Sequence, residues 1–241
     1  MANKITQYLQ SSIGKKTVMS ASGLFLCVFL LEHLYTNVHI FFGDGGKAFN
    51  EASHNMVHSI IIRIIEVVLF IAIIVHVVQA VLLTGENSKA RPVKYQVKGT
   101  QHTSSWASRN MLLTGSIIFF FIVVHLWNFF VPYRVTGHVV GPEEAAATGG
   151  ETLAVEVAEA LGNPIYAALY LVSVIFLAIH LNHGFQSAFQ TLGLNNRRYA
   201  RVWKAIGSFF AFVIVGVGFA SFPILFYLSE VMGWDLLNWA Q

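Results

Sequence analysis

Ten histidines punctuate this 241-residue chain, and four of them, His33, His76, His125 and His180, stand deep inside long apolar stretches, with His183 one turn beyond the last. A neutral imidazole offers one nitrogen lone pair to a metal while its other nitrogen keeps a proton, and ionisable side chains at such depth mark functional positions. A single buried histidine is equally well explained by a hydrogen bond to a neighbouring helix. Four in four successive apolar stretches are not.

Their heights can be computed from a helical rise of about 1.5 Å per residue. His33 and His125 lie roughly 22 and 21 Å from the starts of their stretches, and His76 and His180 roughly 24 and 22 Å from the starts of stretches running the opposite way. Two levels result, roughly 14 Å apart along the membrane normal, with His33 matched to His125 and His76 to His180. Imidazoles from different helices meeting in pairs at one height are what a six-coordinate haem iron takes, one on each face. The spacing therefore points to two haem b groups, each held by two histidines. With both axial positions filled, such haems carry electrons rather than bind oxygen. His183 stays open as an alternative to His180, because the two differ by less than a turn. The only cysteine, Cys27, permits neither an intrachain disulfide nor covalent Cys-x-x-Cys-His haem attachment.

The elements that must position these rings are helices in lipid. The chain is 55% hydrophobic and 11% charged, with a mean hydropathy of +0.61, far more apolar than a soluble domain. Five stretches reach the roughly 20 residues needed to cross a bilayer: 18–42, 60–83, 111–131, 165–192 and 202–228. Their length and lack of period-2 alternation make them helices, so the expected fold is an all-α bundle of five transmembrane helices forming one domain over 1–241. The first apolar run, about 25 residues, is too long for the core of a cleaved signal peptide and is expected to stay as a helix.

Charge sets the orientation. Lys4, Lys15, Lys16, Lys89, Arg91, Lys94, Lys98, Arg109, Arg197, Arg198, Arg201 and Lys204 all fall at one end. The opposite loops carry Asp44, Glu51, Glu143, Glu144, Glu151, Glu156 and Glu159 against Lys47 and Arg134. The positive-inside rule then puts the N-terminus in the cytoplasm and the C-terminus outside. The basic face suits anionic lipid or a partner protein; with no stacking or phosphate-cradling motif, nucleic acid is not expected. In the long connection 132–163, residues 151–161 are expected to form a short amphipathic helix on the membrane surface. His39, His54, His58, His102 and His138 read as interfacial or solvated. Gly184, one turn after His180, leaves room for a flat macrocycle, whereas Gly23 and Gly115, ten residues before His33 and His125, carry little weight because glycine is common in membrane helices.

Several runs resemble one family: Ser11-Ser12-Ile13-Gly14-Lys15-Lys16 before the first span, His33-Leu34 followed by Asn37, His125-Leu126, and His180-Leu181-Asn182-His183-Gly184-Phe185 continuing through Ser187-Ala188-Phe189-Gln190-Thr191-Leu192-Gly193. Over nearly its whole length the chain is similar to the single-chain di-haem cytochrome b subunit of bacterial succinate:quinone oxidoreductases, the succinate dehydrogenase and fumarate reductase group. The resemblance implies a fourth ligand in a His-x-x-x-Gly pattern, here His180 with Gly184, and the same pairing of spans that depth suggests. It also implies flavoprotein and iron-sulfur subunits docked on the cytoplasmic side, quinone as redox partner with menaquinone the expected species, and a place in the bacterial inner membrane.

Quinone chemistry needs an apolar slot and groups that bind the carbonyls and move protons. Glu32, Arg63 and Glu66 are the candidates. Arg63 and Glu66, three residues apart on one helix, are expected first of all to pair with each other, Arg63 snorkelling outward. The functional alternatives are a haem propionate for Arg63 and a quinol proton for Glu66. Two other classes remain open: the di-haem anchor of a hydrogenase or formate dehydrogenase, against which the 187–193 run argues, and a transporter, which predicts histidines and acids clustered at one depth.

Overall fold

The structure, a computed structural model, describes residues 3–90, 106–196 and 198–238. Arg91, Lys94, Lys98, His102 and Arg197 lie outside the described residues. Those described form helices α1 (Lys4–Gln10), α2 (Ser12–Val38), α3 (Lys47–His58), α4 (Ile60–Lys89), α5 (Trp106–Arg109), α6 (Met111–His125), α7 (Pro142–Thr148), α8 (Leu153–Gly162), α9 (Pro164–Thr191), α10 (Ala200–Ser208) and α11 (Gly218–Met232). A 3-10 turn, His39–Phe42, extends α2, and wide π turns, Leu126–Phe130 and Pro132–Thr136, extend α6. A third π segment, Phe209–Val217, joins α10 to α11. Among the described residues the only β pairing is an isolated bridge between Val139 and Glu151.

Five continuous helices are long and apolar enough to cross a membrane: Ser12–Phe42, Ile60–Lys89, Met111–Thr136, Pro164–Thr191 and Ala200–Met232. The chain is thus an all-helical, multi-pass membrane protein. Four of the helices outrun their apolar stretches, because a helix satisfies its own backbone and need not stop where the lipid does. The third runs to Thr136 rather than ending at Val131. Inside a regular helix Pro132 lacks an N–H and collides with the carbonyl four residues back. The π turns relieve this by widening the spiral, as where the Val131 N–H reaches the Leu126 carbonyl.

α2 packs on α4 and α9, and α6 packs on α9 and, less extensively, on α4. These four helices close a ring in which α2 stands opposite α6 and α4 opposite α9, while the fifth span packs outside α9 and α2. Polar contacts tie the two ends: Lys15 pairs with Glu86 at one, and Gly45 N–H bonds the Leu237 carbonyl at 2.8 Å at the other. α4 buries no residue fully, and Ile61, Ile64, Val67, Ile71 and Ile74 on it are exposed, as a lipid-facing surface must be. α8, Leu153–Gly162, covers most of the expected 151–161 segment and turns its apolar side to the bundle. Ala154, Val157 and Leu161 are buried against Tyr170, Phe222 and Phe226 at the end of the bundle, where packing on protein covers the face that lipid was expected to cover.

Candidate functional site

The ring of four helices brings the deep histidines together across its diagonals. His33 on α2 faces His125 on α6, with ring centroids 5.6 Å apart and planes at 89°. His76 on α4 faces His180 on α9 at 6.4 Å and 66°. Two imidazoles bound to opposite sides of one metal ion, with bonds of about 2 Å, put their centroids roughly 6 Å apart. The helices joined in this way are the opposite ones, which the packing otherwise leaves apart. His183 makes no ring contact with His76 among the described residues, so His180 is the partner that the fold selects.

Local sequence holds the His76–His180 level in place. Ser22 Oγ donates to the Met19 carbonyl at 3.0 Å and lies 3.2 Å from His76 Nδ1. Thr114 Oγ1 donates to the Met111 carbonyl at 3.1 Å and lies 3.1 Å from His180 Nδ1. A hydroxyl has one proton, and in both residues it is committed to a carbonyl one turn back. With the hydroxyl proton given to the carbonyl, each oxygen is an acceptor for Nδ1–H, the tautomer that leaves the Nε2 lone pair free for a metal.

Next to each hydroxyl is a glycine that the ring leans on. A Cβ on Gly23 would stand 3.2 Å from His76 Cε1, and one on Gly115 would stand 3.4 Å from His180 Cε1. These glycines, discounted in the sequence, serve the pair at the other level from the histidine that follows them. The signal that could have found them is a repeat: Met19-x-x-Ser22-Gly23 precedes His33 by the same spacing as Met111-x-x-Thr114-Gly115 precedes His125. From glycine to histidine is ten residues on both helices, so the two levels are roughly 15 Å apart. A Cβ at Gly184 would meet nothing within 4 Å, so that position is open.

The His33–His125 level is built differently. Phe29 and Phe219 stack on His33 at 5.3 and 5.6 Å, while Phe121, Phe129 and Tyr170 surround His125. Tyr170 accepts a hydrogen bond at 3.3 Å from the buried Asn128. Asn37 Nδ2 donates to the His33 carbonyl at 2.6 Å and lies 3.3 Å from its Nδ1. His125 Nδ1 is buried with no hydrogen-bond partner among the described residues.

The acidic and basic candidates do not converge as expected. Arg63 does not pair with Glu66: its Nε donates to the Val57 carbonyl at 3.4 Å, and the side chain is exposed. Glu66 Oε2 instead accepts from Arg134 Nη2 at 2.8 Å. The extension of the third helix past Pro132 carries Arg134 to that position, which a helix ending at Val131 could not have done. Glu32 accepts from Thr36 Oγ1 at 2.9 Å on its own helix. His39 bonds the carbonyls of its own helix, and His54 stacks on His58 at 4.0 Å.

No family model, curated protein or solved structure matches the chain.

Proposed function

We propose that this chain is the membrane-anchor subunit of a bacterial succinate:quinone oxidoreductase, a di-haem cytochrome b that passes electrons between an iron-sulfur subunit and membrane quinone. The observation that carries this reading is the pair of diagonal histidine couples at two heights in one four-helix ring. In it, His33 with His125 and His76 with His180 would each hold the iron of one haem b group. The donor set fits: all four are imidazoles, the centroid separations of 5.6 and 6.4 Å leave room for one metal ion between the rings of each couple, and at one level a hydroxyl oxygen stands within hydrogen-bond reach of each Nδ1. When bound, the haems supply one-electron transfer.

The chain's residues do the rest. Ser22 and Thr114 take hydrogen bonds from Nδ1–H, which orients the rings and makes Nε2 a better donor. Gly23 and Gly115 admit the His76 and His180 rings against the backbone. The apolar bundle surrounds both couples and would keep solvent from the iron. Glu66, half-buried and tied to Arg134 through one oxygen, is the proton acceptor best placed for quinol, with menaquinone the expected substrate. In this reading the basic end, which includes Lys15, Lys16, Arg198 and Arg201, is cytoplasmic and meets the partner subunits, and the C-terminus is outside. Dicarboxylate chemistry belongs to the flavoprotein subunit. Among the described residues, the one group of three or more histidines and acids at ligand distance lies in the connection after the third span and not within the membrane-spanning helices, which leaves the transporter reading without support.

A reduced-minus-oxidised absorption spectrum of the purified protein tests the reading. The expected result is the sharp α-band of low-spin b haem at two haems per chain, with flavoprotein and iron-sulfur chains co-purifying from native membranes. A colourless protein after expression with ample haem ends the haem assignment. A hydrogenase or formate dehydrogenase partner leaves the haems and ends the succinate assignment.

A further inference from the structure

The connection between the third and fourth spans gathers a second set of ligand-type side chains, far from the histidine couples. His138, Glu151 and Glu156 each present one ligand atom, and all three atoms lie within 4.8 Å of one another. His138 Nε2 is 3.2 Å from Glu151 Oε2. Two neighbouring donors on a tetrahedral metal ion with bonds of about 2.0–2.2 Å stand at about that separation.

The backbone that carries these side chains is anchored, although the side chains reach outward. Val139, next to His138, is 1% exposed, bridges to Glu151, and donates its N–H to the Pro132 carbonyl at 3.3 Å. Val140 N–H bonds the Glu151 carbonyl at 2.9 Å. Glu156 is in the first turn of α8, whose start is pinned by Ala154 N–H donating to Asn50 Oδ1 at 2.9 Å and by burial of Ala154 and Val157. Three donors from two stretches of one connection are thus brought together by backbone pairing and by the packing of α8, not by their own side chains.

We propose that His138, Glu151 and Glu156 bind one divalent first-row transition-metal ion of the zinc class, which staples the chain around His138, just past the third span, to Glu151 and the first turn of α8. Two carboxylates and a neutral imidazole balance a 2+ charge. The nitrogen donor favours zinc over calcium or magnesium, which take oxygen ligands, and water completes the fourth position. The competing account, a surface ion pair of His138 with Glu151 that also draws on Glu156, forms without a metal and takes up no zinc, so zinc uptake separates the two.

The full-length chain in detergent, stripped with a chelator, is titrated with zinc chloride alone and its bound zinc counted by mass spectrometry. Wild type is expected to take up one zinc per chain at this site and to melt at a higher temperature with zinc than without. Glu156→Gln, which keeps size and fold, and His138→Ala are each expected to weaken uptake by about tenfold or more and to lose the thermal shift, because a three-ligand site does not survive loss of a ligand. His58→Ala, at the same end of the bundle, is expected to behave as wild type. No uptake by wild type overturns the proposal. So does wild-type affinity in either Glu156→Gln or His138→Ala, or equal loss in His58→Ala.

Discussion

At the level of His76 and His180 the rings are held by hydroxyl acceptors and rest on glycine backbone, whereas at the level of His33 and His125 they are wedged among Phe29, Phe121, Phe129, Tyr170 and Phe219. The same helices build both levels. α2 and α6 supply ligand-type histidines to one and the supporting hydroxyl and glycine to the other. A hydroxyl acceptor tunes how strongly a ring donates, while aromatic packing fixes position and excludes water; at the second level the Asn37 amide nitrogen lies 3.3 Å from His33 Nδ1, and His125 Nδ1 has no hydrogen-bond partner among the described residues. Polar substitutions should therefore act on the first level and volume changes on the second.

The largest effect expected is loss of a whole cofactor. His125→Ala should remove one haem of two and leave the other, and His76→Ala should do the reverse, read as haem per chain by absorbance; simultaneous loss of both would show that the levels are not independent. Gly115→Val comes next. Its added methyls enter the space of the His180 ring, so the His76–His180 haem should be lost while the other stays, and two haems retained in this variant would break the proposed role of the glycine.

Smaller and more selective is Ser22→Ala or Thr114→Val. Without its acceptor the imidazole becomes a weaker donor, and the potential of that haem alone should rise by roughly tens of millivolts in a redox titration. An equal shift of both haems would erase the difference between the levels. The smallest effect expected is that of Glu66→Gln, which weakens a half-buried pair with Arg134 at 2.8 Å outside either couple. It should cost about 1 kcal/mol, seen as a drop of a few degrees in Tm, and leave both haems in place.

The heights of the histidines were legible because helical rise and bilayer thickness are both nearly constant, so counting residues from the edge of an apolar run measures depth. Which way a ring faces was not. The weak reading of Gly23 and Gly115 shows this: their spacing was visible, yet their partners are on α4 and α9, and only the rotation of each helix within the bundle brings glycine and imidazole together. The expected pairing of Arg63 with Glu66 failed for a related reason. Proximity on one helix was plain, but the competitor Arg134 came from a helix extension that the apolar pattern does not mark.

The apolar runs, the charge asymmetry of the loops and the numbering of four histidines were enough to determine that five helices form and that imidazoles occur at two heights, since both follow from distances along a single helix. The tertiary structure alone decided which hydroxyl faces which imidazole, which glycine supports which ring, and that His138, Glu151 and Glu156 meet. Those depend on helix rotation and on contacts between residues far apart in the chain, which no periodicity within one segment encodes.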